Sequence, residues 1–432
     1  MRKLFKLPRP VRFMKTDSAT AAKLAGLEIS DRAKPGISRE KIDVKTGGEE
    51  GKVSFEWKYL SAEGDALEDQ DRIEMLNSLV VPPAWVDVWF CSDENGHIQA
   101  TGKDEKGRLQ YRYHPKWNEI KADLKYANVD EFAMALPDLR DRVSADLDMK
   151  GMPLEKAVAI VIRLMDQYHI RVGSDQYAQE NESYGLTTLR EGHVKFIKGD
   201  DAEGEIDAVF DFIGKSGKRW RLVIEDDTLA KLIEDSGKVG GRDREQDLFR
   251  YLADNGNDFD IKAEHINRYI SEVFDGLGFT AKDFRTWAAS WKTGARLALV
   301  SNASEGELSK LPKLMKRALK KVDGTEEEPI IKWRGTILKR AEGLAKLAEK
   351  GCLPGSSEKE RQATLLSVID TVSGDLGNTR AVCRSSYIRP MFMEDWGSGL
   401  FEERWSNAKE IRRVPGLSSE ESAAVHYMRT HE

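Results

Sequence analysis

The sequence predicts an α+β fold, in which a small β-rich amino-terminal domain precedes a larger, mainly helical domain that contains a three-stranded antiparallel sheet. Between residues 53 and 113, short alternating runs such as VSFEWKYL and LQYRYH are separated by Asn-Gly and Lys-Gly turns, which is typical of β-hairpins. Beyond Trp117, longer runs with helical periodicity dominate. A chain of 432 residues is also too long for one compact core, so we expect several domains.

We divide the chain into four parts. They are a basic and polar leader that we expect to be flexible, the β-rich domain, the helical domain and a carboxy-terminal tail, at residues 1–50, 51–116, 117–392 and 393–432. The first 16 residues carry six basic and no acidic side chains, which favours a solubilising tail, with a nonspecific grip on polyanions as the alternative. A charge-rich insertion at about 304–360 is interpreted as an exposed helical insertion, with a basic clamp on nucleic acid as the alternative.

The composition limits the class of protein. No apolar run approaches the roughly 18 residues that a membrane-spanning helix needs. Cys91, Cys352 and Cys383 have no CxxC spacing, so they predict neither a disulfide framework nor a metal site, and they indicate a reducing, intracellular compartment. The net charge of −6 argues mildly against a nucleic-acid partner, although local basic clusters matter more than the sum.

The elements of the helical domain follow from short sequence patterns. The run PLEKAVAIVIRLMDQYHI, from Pro153 to Ile170, has an early proline and a dense apolar face, so it predicts a buried helix. HVKFI, AVFDFIG and KRWRLVI predict the antiparallel sheet. AEHINRYISEVFDGLG predicts a helix that ends at glycines, and TAKDFRTWAASWKTGARLALV predicts another, which Thr280 and Asp283 open as a capping box.

Residues 170–194, IRVGSDQYAQENESYGLTTLREGHV, resemble a segment of the type IB DNA topoisomerases of the bacterial and poxvirus-like branch. In that segment Arg-x-Gly is followed by Tyr, Glu-Asn, Gly-Leu-x-Thr-Leu and His-Val. Further stretches resemble the same family in the same chain order: PPAWVDVW, GKDEKGRLQYRYH, FIGKSGK, DFRTW and LGNTRAVCRSSYIRP. The resemblance covers roughly residues 53–390.

The resemblance implies a fold and an activity. The two domains would close as a monomeric clamp around double-stranded DNA, in the cytoplasm and associated with the nucleoid. A tyrosine would attack a backbone phosphate, form a 3′-phosphotyrosyl link and release a 5′-hydroxyl. The nicked strand would swivel about the intact one before the hydroxyl reseals it, with no ATP, no obligatory metal and no cofactor.

The resemblance also implies which residues carry this chemistry. Tyr387 would be the nucleophile, Lys215 the general acid that protonates the departing oxygen, and Arg171, Arg285 and Asn378 the groups that bind the non-bridging phosphate oxygens. In the amino-terminal domain, the implied DNA contacts are Arg108, Gln110, Tyr111 and Tyr113.

The residue types suit these roles. A phenol titrates near ~10 in water, so a tyrosine nucleophile needs cations beside it at neutral pH. Attack on a phosphodiester concentrates negative charge on the non-bridging oxygens, and a guanidinium matches that geometry and stays charged. Arg285 lies near the amino end of its helix, where the macrodipole disfavours a cation unless an anion binds there.

Each residue also has an ordinary structural alternative. Arg171 could end its helix, Lys215 could be an exposed lysine at a hairpin tip, and Asn378 could cap a helix. Asn378 stands nine residues before Tyr387, which puts the two on opposite faces of a continuous helix, so both reach one phosphate only if the chain bends between them. An amide donates a hydrogen bond but cannot act as a base near pH 7.

Strand alternation constrains the amino-terminal residues. On a regular strand Arg108 and Gln110 share one face, while Tyr111 and Tyr113 share the other, so Gln110 and the tyrosines all reach DNA only at a bulge or a strand end. Tyrosines at this spacing are more often part of a sheet core.

The chain departs from the family pattern at two positions near the tyrosine, where Arg380 replaces a proline and Arg389 replaces a frequent histidine. The charged insertion is also unusual. A tyrosine recombinase shares the arginine, lysine and tyrosine chemistry, but it usually begins with a helical domain. A non-catalytic DNA-binding protein is the alternative outside enzymes. The GKS at Gly214 lacks the upstream glycine of a nucleotide-binding P-loop, because Val209 occupies that place.

Overall fold

A computed structural model describes residues 18–45, 53–198, 206–275, 277–302 and 357–431. The chain divides into two compact units at Asn128. Residues 1–17 of the leader and residues 304–356 of the predicted insertion lie outside the described residues. None of the described helices combines the length and the apolar character needed to cross a lipid bilayer.

The amino-terminal unit is built from two antiparallel sheets and three helices. Its elements are α1 (Ser18–Ala25), β1 (Ser38–Lys45), β2 (Val53–Leu60), α2 (Gln70–Ser78), β3 (Val86–Phe90), β4 (Ile98–Lys103), β5 (Leu109–Tyr113) and α3 (Pro115–Ala127). Strands β1 and β2 form one sheet, and β3, β4 and β5 form the other in that order. The predicted β-rich character of this part is confirmed.

The residues that the sequence places in the leader contribute to this unit where they are described. Helix α1 buries Ala21 and Ala22 against Trp117 and Ile120 of α3, and strand β1 pairs with β2 along its whole length. The signal is weak in the sequence because the buried face of α1 consists of two alanines, and because charged residues interrupt the apolar alternation of β1.

The carboxy-terminal unit is mainly helical. Its elements up to the insertion are α4 (Val129–Leu147), α5 (Leu154–Tyr168), α6 (Asp175–Asn181), β6 (Val194–Lys198), β7 (Ile206–Gly214), β8 (Lys218–Ile224), α7 (Asp227–Gly237), β9 (Arg250–Leu252), β10 (Asp258–Asp260), α8 (Ala263–Val273) and α9 (Ala281–Asn302). After the insertion follow α10 (Glu358–Asp375), α11 (Arg380–Ser386), α12 (Pro390–Ser398), α13 (Phe401–Glu410) and α14 (Ser419–Thr430).

The predicted three-stranded antiparallel sheet is confirmed, in the order β6, β7, β8. Burial alternates along β7, so Phe210 and Phe212 face the core while Asp211 lies on the other face with Arg219 and Arg221. A tight turn at residues 215–217 joins β7 to β8. The sheet therefore ends in a hairpin whose tip is exposed and whose inner face is apolar.

The residues predicted to form a tail fold into the helices that complete the core. Phe392 of α12 stacks on Tyr427 of α14 with ring centroids 5.0 Å apart, and Trp405 of α13 packs beside both rings. Helix α14 begins with a Ser418–Glu421 capping box and packs against α4 and α9. The last helices thus support α9 from the side opposite to solvent.

Candidate active site

Two arginines meet at one amide. Arg171 follows the end of α5, and Arg285 is the fifth residue of α9. The guanidinium of Arg171 donates to Oδ1 of Asn378, and Nη2 of Arg285 lies 3.3 Å from the same oxygen. A guanidinium only donates hydrogen bonds, so these contacts fix the amide with its oxygen towards the arginines. Nδ2 of Asn378 is buried and has no hydrogen-bond partner among the described residues.

The loop that carries Arg171 is held by close backbone packing. The N–H of Leu186 donates to the carbonyl of Arg171, and the N–H of Thr187 donates to the carbonyl of Val172. A Cβ on Gly185 would lie 2.6 Å from Cα of Gly173, so the two segments approach as closely as only glycines allow. The Gly residues of this motif therefore serve to fix the position of Arg171.

Arg285 is bound by backbone carbonyls rather than by an acid. Its Nη1 donates to the carbonyl of His169, and its Nη2 donates to the carbonyl of Leu376 over 2.7 Å. Its side chain is buried, and burial and the nearby charge of Arg171 lower the pKa of Arg285 to about 10, so it stays cationic at neutral pH. Among the residues that the structure describes, no carboxylate forms an ion pair with Arg171 or Arg285, so the site holds uncompensated positive charge.

Tyr387 lies beside these cations. It follows α11 and is half-buried, and the guanidinium carbon of Arg285 lies 5.2 Å from the centroid of its ring. Burial alone raises the pKa of Tyr387, but the charge of Arg285, a hydrogen bond from Arg285 and the charges of Arg171 and Lys282 outweigh it, so the pKa is lowered from 10.0. The phenolate is therefore easier to form here than in water.

The chain bends between Asn378 and Tyr387, as the sequence requires. Helix α10 ends at Asp375, Gly377 has a φ of +62°, and α11 begins at Arg380. The cap of α11 is Thr379, whose Oγ1 accepts from the N–H of Val382 over 3.3 Å. Asn378 is not the cap, which leaves its amide for the arginines.

A buried ion cluster holds the end of α10 against α9. Oδ2 of Asp375 lies 2.7 Å from Nζ of Lys292 and 2.5 Å from Nη2 of Arg296. Burial raises the pKa of Asp375, but the two cations outweigh it and lower the pKa well below 3.8. Burial lowers the pKa of Lys292 more than the single carboxylate raises it. The charge of Asp375 is therefore better compensated than the charge of Lys292. Leu376 and Asn378 come shortly after Asp375 in the chain, so this contact positions them.

Lys215, the remaining predicted residue, lies at the exposed tip of the β7–β8 hairpin. The hairpin is held by the N–H of Tyr184, which donates to the carbonyl of Ile213 over 2.8 Å, and by Trp220, which packs on Gly377. The structure therefore brings Arg171, Arg285, Asn378 and Tyr387 together and places Lys215 on a hairpin that contacts the same loop.

Comparison with known proteins gives matches to two protein families. Residues 115–325 match the family described as eukaryotic DNA topoisomerase I, catalytic core, and residues 56–104 match the bacterial DNA topoisomerase IB, N-terminal domain. Both matched parts of the chain are thus similar to type IB DNA topoisomerases. Its relatives include DNA topoisomerase 1B of Acanthamoeba polyphaga mimivirus, which is 34% identical over 222 residues, or 50% of this chain and 62% of the relative.

Two further relatives are more distant. DNA topoisomerase 1B of Vaccinia virus (strain Copenhagen) is 23% identical over 257 residues, which cover 56% of this chain and 71% of the relative. DNA topoisomerase 1 of Schizosaccharomyces pombe is 24% identical over 222 residues, which cover 49% of this chain and 23% of the relative. The chain thus spans 62% of the length of the mimivirus relative, and far less of the yeast one.

The structure adds residues to this site that the sequence did not predict. Oγ of Ser290, on α9, donates to the carbonyl of Tyr387 over 3.3 Å and accepts from the N–H of Arg389 over 3.1 Å. Lys282 is exposed, lies one turn before Arg285 and lowers the pKa of Tyr387. The i, i+3 spacing of Lys282 and Arg285 is a signal that the sequence does contain. Ser290 has no comparable signal.

The two departures near the tyrosine have structural partners. Nε of Arg380 lies 2.7 Å from Oδ1 of Asp370, and a second guanidinium nitrogen contacts the other carboxylate oxygen, so Arg380 ties the start of α11 to α10. Nη1 of Arg389 lies 3.8 Å from Oδ1 of Asp130 on α4. Both arginines hold helices together.

In the amino-terminal unit, the predicted tyrosines form an exposed aromatic face. Tyr111 and Tyr113 are 40% and 37% exposed, their rings stack with centroids 5.7 Å apart, and Tyr113 also stacks on Trp117. Arg108 and Gln110 both donate to Asp104, and the hydrogen bond from the Arg108 guanidinium lowers the pKa of Asp104 to about 2. The tyrosines are therefore not part of the sheet core. The pairing of their strand, β5, with β4 contains a register shift.

Proposed function

We propose that this protein relaxes supercoiled duplex DNA by cutting one strand, letting it swivel and resealing it. The observation that carries the proposal is the pair of arginines that share the neutral amide of Asn378 beside a tyrosine of lowered pKa. A structural arginine pair is normally compensated by a carboxylate. Two cations left without one favour an anionic ligand, and a DNA phosphate supplies it.

The scissile phosphate binds at the shared amide. The guanidinium groups of Arg171 and Arg285 bind its non-bridging oxygens, and the unpartnered Nδ2 of Asn378 donates to one of them. These donors gain strength as negative charge builds on the oxygens during attack, so they stabilise the transition state more than the bound substrate. A single such donor contributes on the order of 10²–10³ to the rate.

The chemical step is a transesterification. Oη of Tyr387 attacks phosphorus as its proton leaves to solvent, the P–O5′ bond breaks, and the departing oxygen takes a proton from the ammonium of Lys215. The product is a 3′-phosphotyrosine and a free 5′-hydroxyl. Resealing reverses each transfer, and because the bond energy is kept in the phosphotyrosine, the cycle uses no ATP, metal or other cofactor.

The amino-terminal unit contributes to DNA binding in this proposal. Its exposed Tyr111 and Tyr113 contact the groove, with Gln110 on the same strand and Arg108 directly before it. The protein acts as a monomeric clamp on double-stranded DNA of the cytoplasmic nucleoid. Because binding releases counterions from several phosphates, affinity falls steeply with salt.

Plasmid relaxation tests the proposal. The purified protein is expected to relax both positively and negatively supercoiled plasmid in EDTA without ATP, and Tyr387→Phe to abolish relaxation while the fold is retained. A denaturant-trapped complex is expected to link the 3′ end of labelled DNA to the peptide that contains Tyr387. Recombined circles that require two specific sites would instead identify a tyrosine recombinase, and binding without a covalent complex would identify a non-catalytic DNA-binding protein.

A further inference from the structure

Trp220 and Gly377 form a contact that links the Lys215 hairpin to the loop of Asn378. Gly377 has a φ of +62°, a backbone conformation that favours glycine. The three atoms nearest to a Cβ built on it all belong to the indole of Trp220, two of them at 2.8 and 2.9 Å. No side chain fits between the indole and the backbone at this point. The indole of Trp220 on the hairpin therefore packs directly against the backbone of the loop at Gly377.

On one side this contact adjoins Asn378, and on the other side it is linked to the strand that leads to Lys215. Gly377 precedes Asn378, whose amide binds both arginines. Trp220 lies on β8 directly opposite Phe212 of β7, and the two rings stack with an interplanar angle of 6° and centroids 6.1 Å apart. Phe212 is three residues before Lys215, or about 10 Å along an extended strand. The packed residues Gly377, Trp220 and Phe212 thus connect the amide of Asn378 to the strand that leads to Lys215.

A second contact holds the hairpin without replacing this one. The N–H of Tyr184 donates to the carbonyl of Ile213, next to the turn, and fixes β7 to the segment that follows Arg171. Beyond Phe210, where the pairing of β7 with β6 ends, one hydrogen bond would leave the tip of the hairpin free to pivot about it. The flat contact between Trp220 and Gly377 removes that freedom, because rotation of the hairpin would drive the indole into the backbone.

We infer that Trp220 is a positioning residue that sets the distance between Lys215 and the phosphate bound at Asn378. The inference rests on the proposed function. In the step it affects, the P–O5′ bond breaks and O5′ accepts a proton from Nζ of Lys215, which leaves a neutral amine and a 5′-hydroxyl. A lysine on an exposed turn performs this transfer efficiently only when its hairpin is held at a fixed distance.

A change of leaving group separates this role from general packing. When sulfur replaces the bridging 5′-oxygen of the scissile phosphate, the departing thiolate is stable without a proton, so the general acid is no longer needed. The experiment compares single-turnover cleavage of the oxygen and sulfur duplexes by wild type, Lys215→Ala, Trp220→Leu and Trp220→Phe. The matched control is Phe210→Leu, a buried aromatic residue on the same inner face of β7 that lies farther from the turn.

The inference predicts a specific pattern. Trp220→Leu is expected to slow cleavage of the oxygen duplex on the order of 10- to 100-fold, which is part of the ~10²–10⁴ that a positioned general acid contributes. It is expected to cleave the sulfur duplex at nearly the wild-type rate. Trp220→Phe, which keeps an aromatic ring on Gly377, is expected to recover most of the loss. Phe210→Leu is expected to leave the ratio of the two rates unchanged, whatever it does to thermal stability.

The alternatives give different results. If sulfur rescues Lys215→Ala but Trp220→Leu is slow on both duplexes, or fast on both, the proposed function stands and the role of Trp220 is refuted. If sulfur does not rescue Lys215→Ala, Lys215 is not the acid, and the inference falls with that assignment. If wild type cleaves neither duplex, the proposed function itself is wrong.

Discussion

Asn378→Asp is a substitution in which stability and activity are expected to change in opposite directions. The aspartate keeps an oxygen towards Arg171 and Arg285, so the contacts that position both arginines remain. It replaces the unpartnered Nδ2 donor by a second oxygen and adds a negative charge at the proposed phosphate position. The site would then carry its own anion in place of the phosphate.

The magnitudes follow from the distances and the burial. A carboxylate oxygen 3.3 Å from Nη2 of Arg285 is attracted by about 5 kcal/mol at an effective dielectric constant of about 20. Asn378 is only 2% exposed, and removing a carboxylate from water costs several kcal/mol. We therefore expect a net gain of about 1–3 kcal/mol in the free energy of unfolding, the usual range for hydrogen bonds to charged groups. Loss of one transition-state donor slows cleavage on the order of 10²–10³-fold, and the added charge slows it further.

Urea unfolding and single-turnover cleavage of a labelled duplex measure the two effects on the same preparation. Asn378→Ala is the comparison, because it removes both the shared acceptor and the donor and is expected to lower stability and activity together. An Asn378→Asp protein that is less stable than wild type, or that cleaves within a few-fold of the wild-type rate, would refute the proposed electrostatic role of this amide.

Three further outcomes are expected. The cleavage rate of wild type should rise with pH with an inflexion below pH 10, because the pKa of Tyr387 is lowered. Lys282→Ala should move the inflexion to higher pH, whereas Lys231→Ala, at an exposed position of α7, should not. Asp375→Ala leaves Lys292 and Arg296 buried without their anion and should cost about 3–5 kcal/mol of unfolding free energy, against at most about 1 kcal/mol for Asp235→Ala in an exposed pair. Since the pKa of Asp375 is lowered, its contribution to the free energy of unfolding is present above pH 3.8 and is lost as the pH falls below that value. An Asp375→Ala protein with the urea midpoint of wild type would contradict this contribution. Arg380→Ala should lower stability by about 1–3 kcal/mol through Asp370, yet leave the cleavage rate within a few-fold of wild type.

The sequence indicates which side chains lie together better than it indicates the contacts that hold them there. The motif around Arg171 and the break before Tyr387 could be predicted because Gly-rich turns and residue spacing have local causes. The acceptors of Arg285 could not, since they are backbone carbonyls of His169 and Leu376, separated from it by 116 and 91 residues. Backbone groups leave no trace in the residue types, so their partners emerge only from the folded chain.

The fold was predictable where patterns were strong. Helix α5 and the sheet of β6, β7 and β8 have clear periodicity, whereas α1 buries alanines, which carry little hydrophobic signal. The exposed stack of Tyr111 and Tyr113 could not be predicted, because strand alternation places both side chains on one face but does not decide whether that face is covered. The expectations for the basic leader and for the insertion concern residues outside the described part of the chain and stay predictions.

The dependence of α9 on α14 has a consequence for synthesis on the ribosome. Glu421 of α14 binds Arg140 over 2.8 Å, and both it and Tyr427 lie in the core beside α9. During translation Tyr387 emerges before this helix, at about 5–20 residues per second. A nascent chain would therefore expose its nucleophile while the helix that carries Arg285 still lacks its last support. If the protein acts as proposed, this order delays DNA breakage until the polypeptide can also hold and reseal the ends.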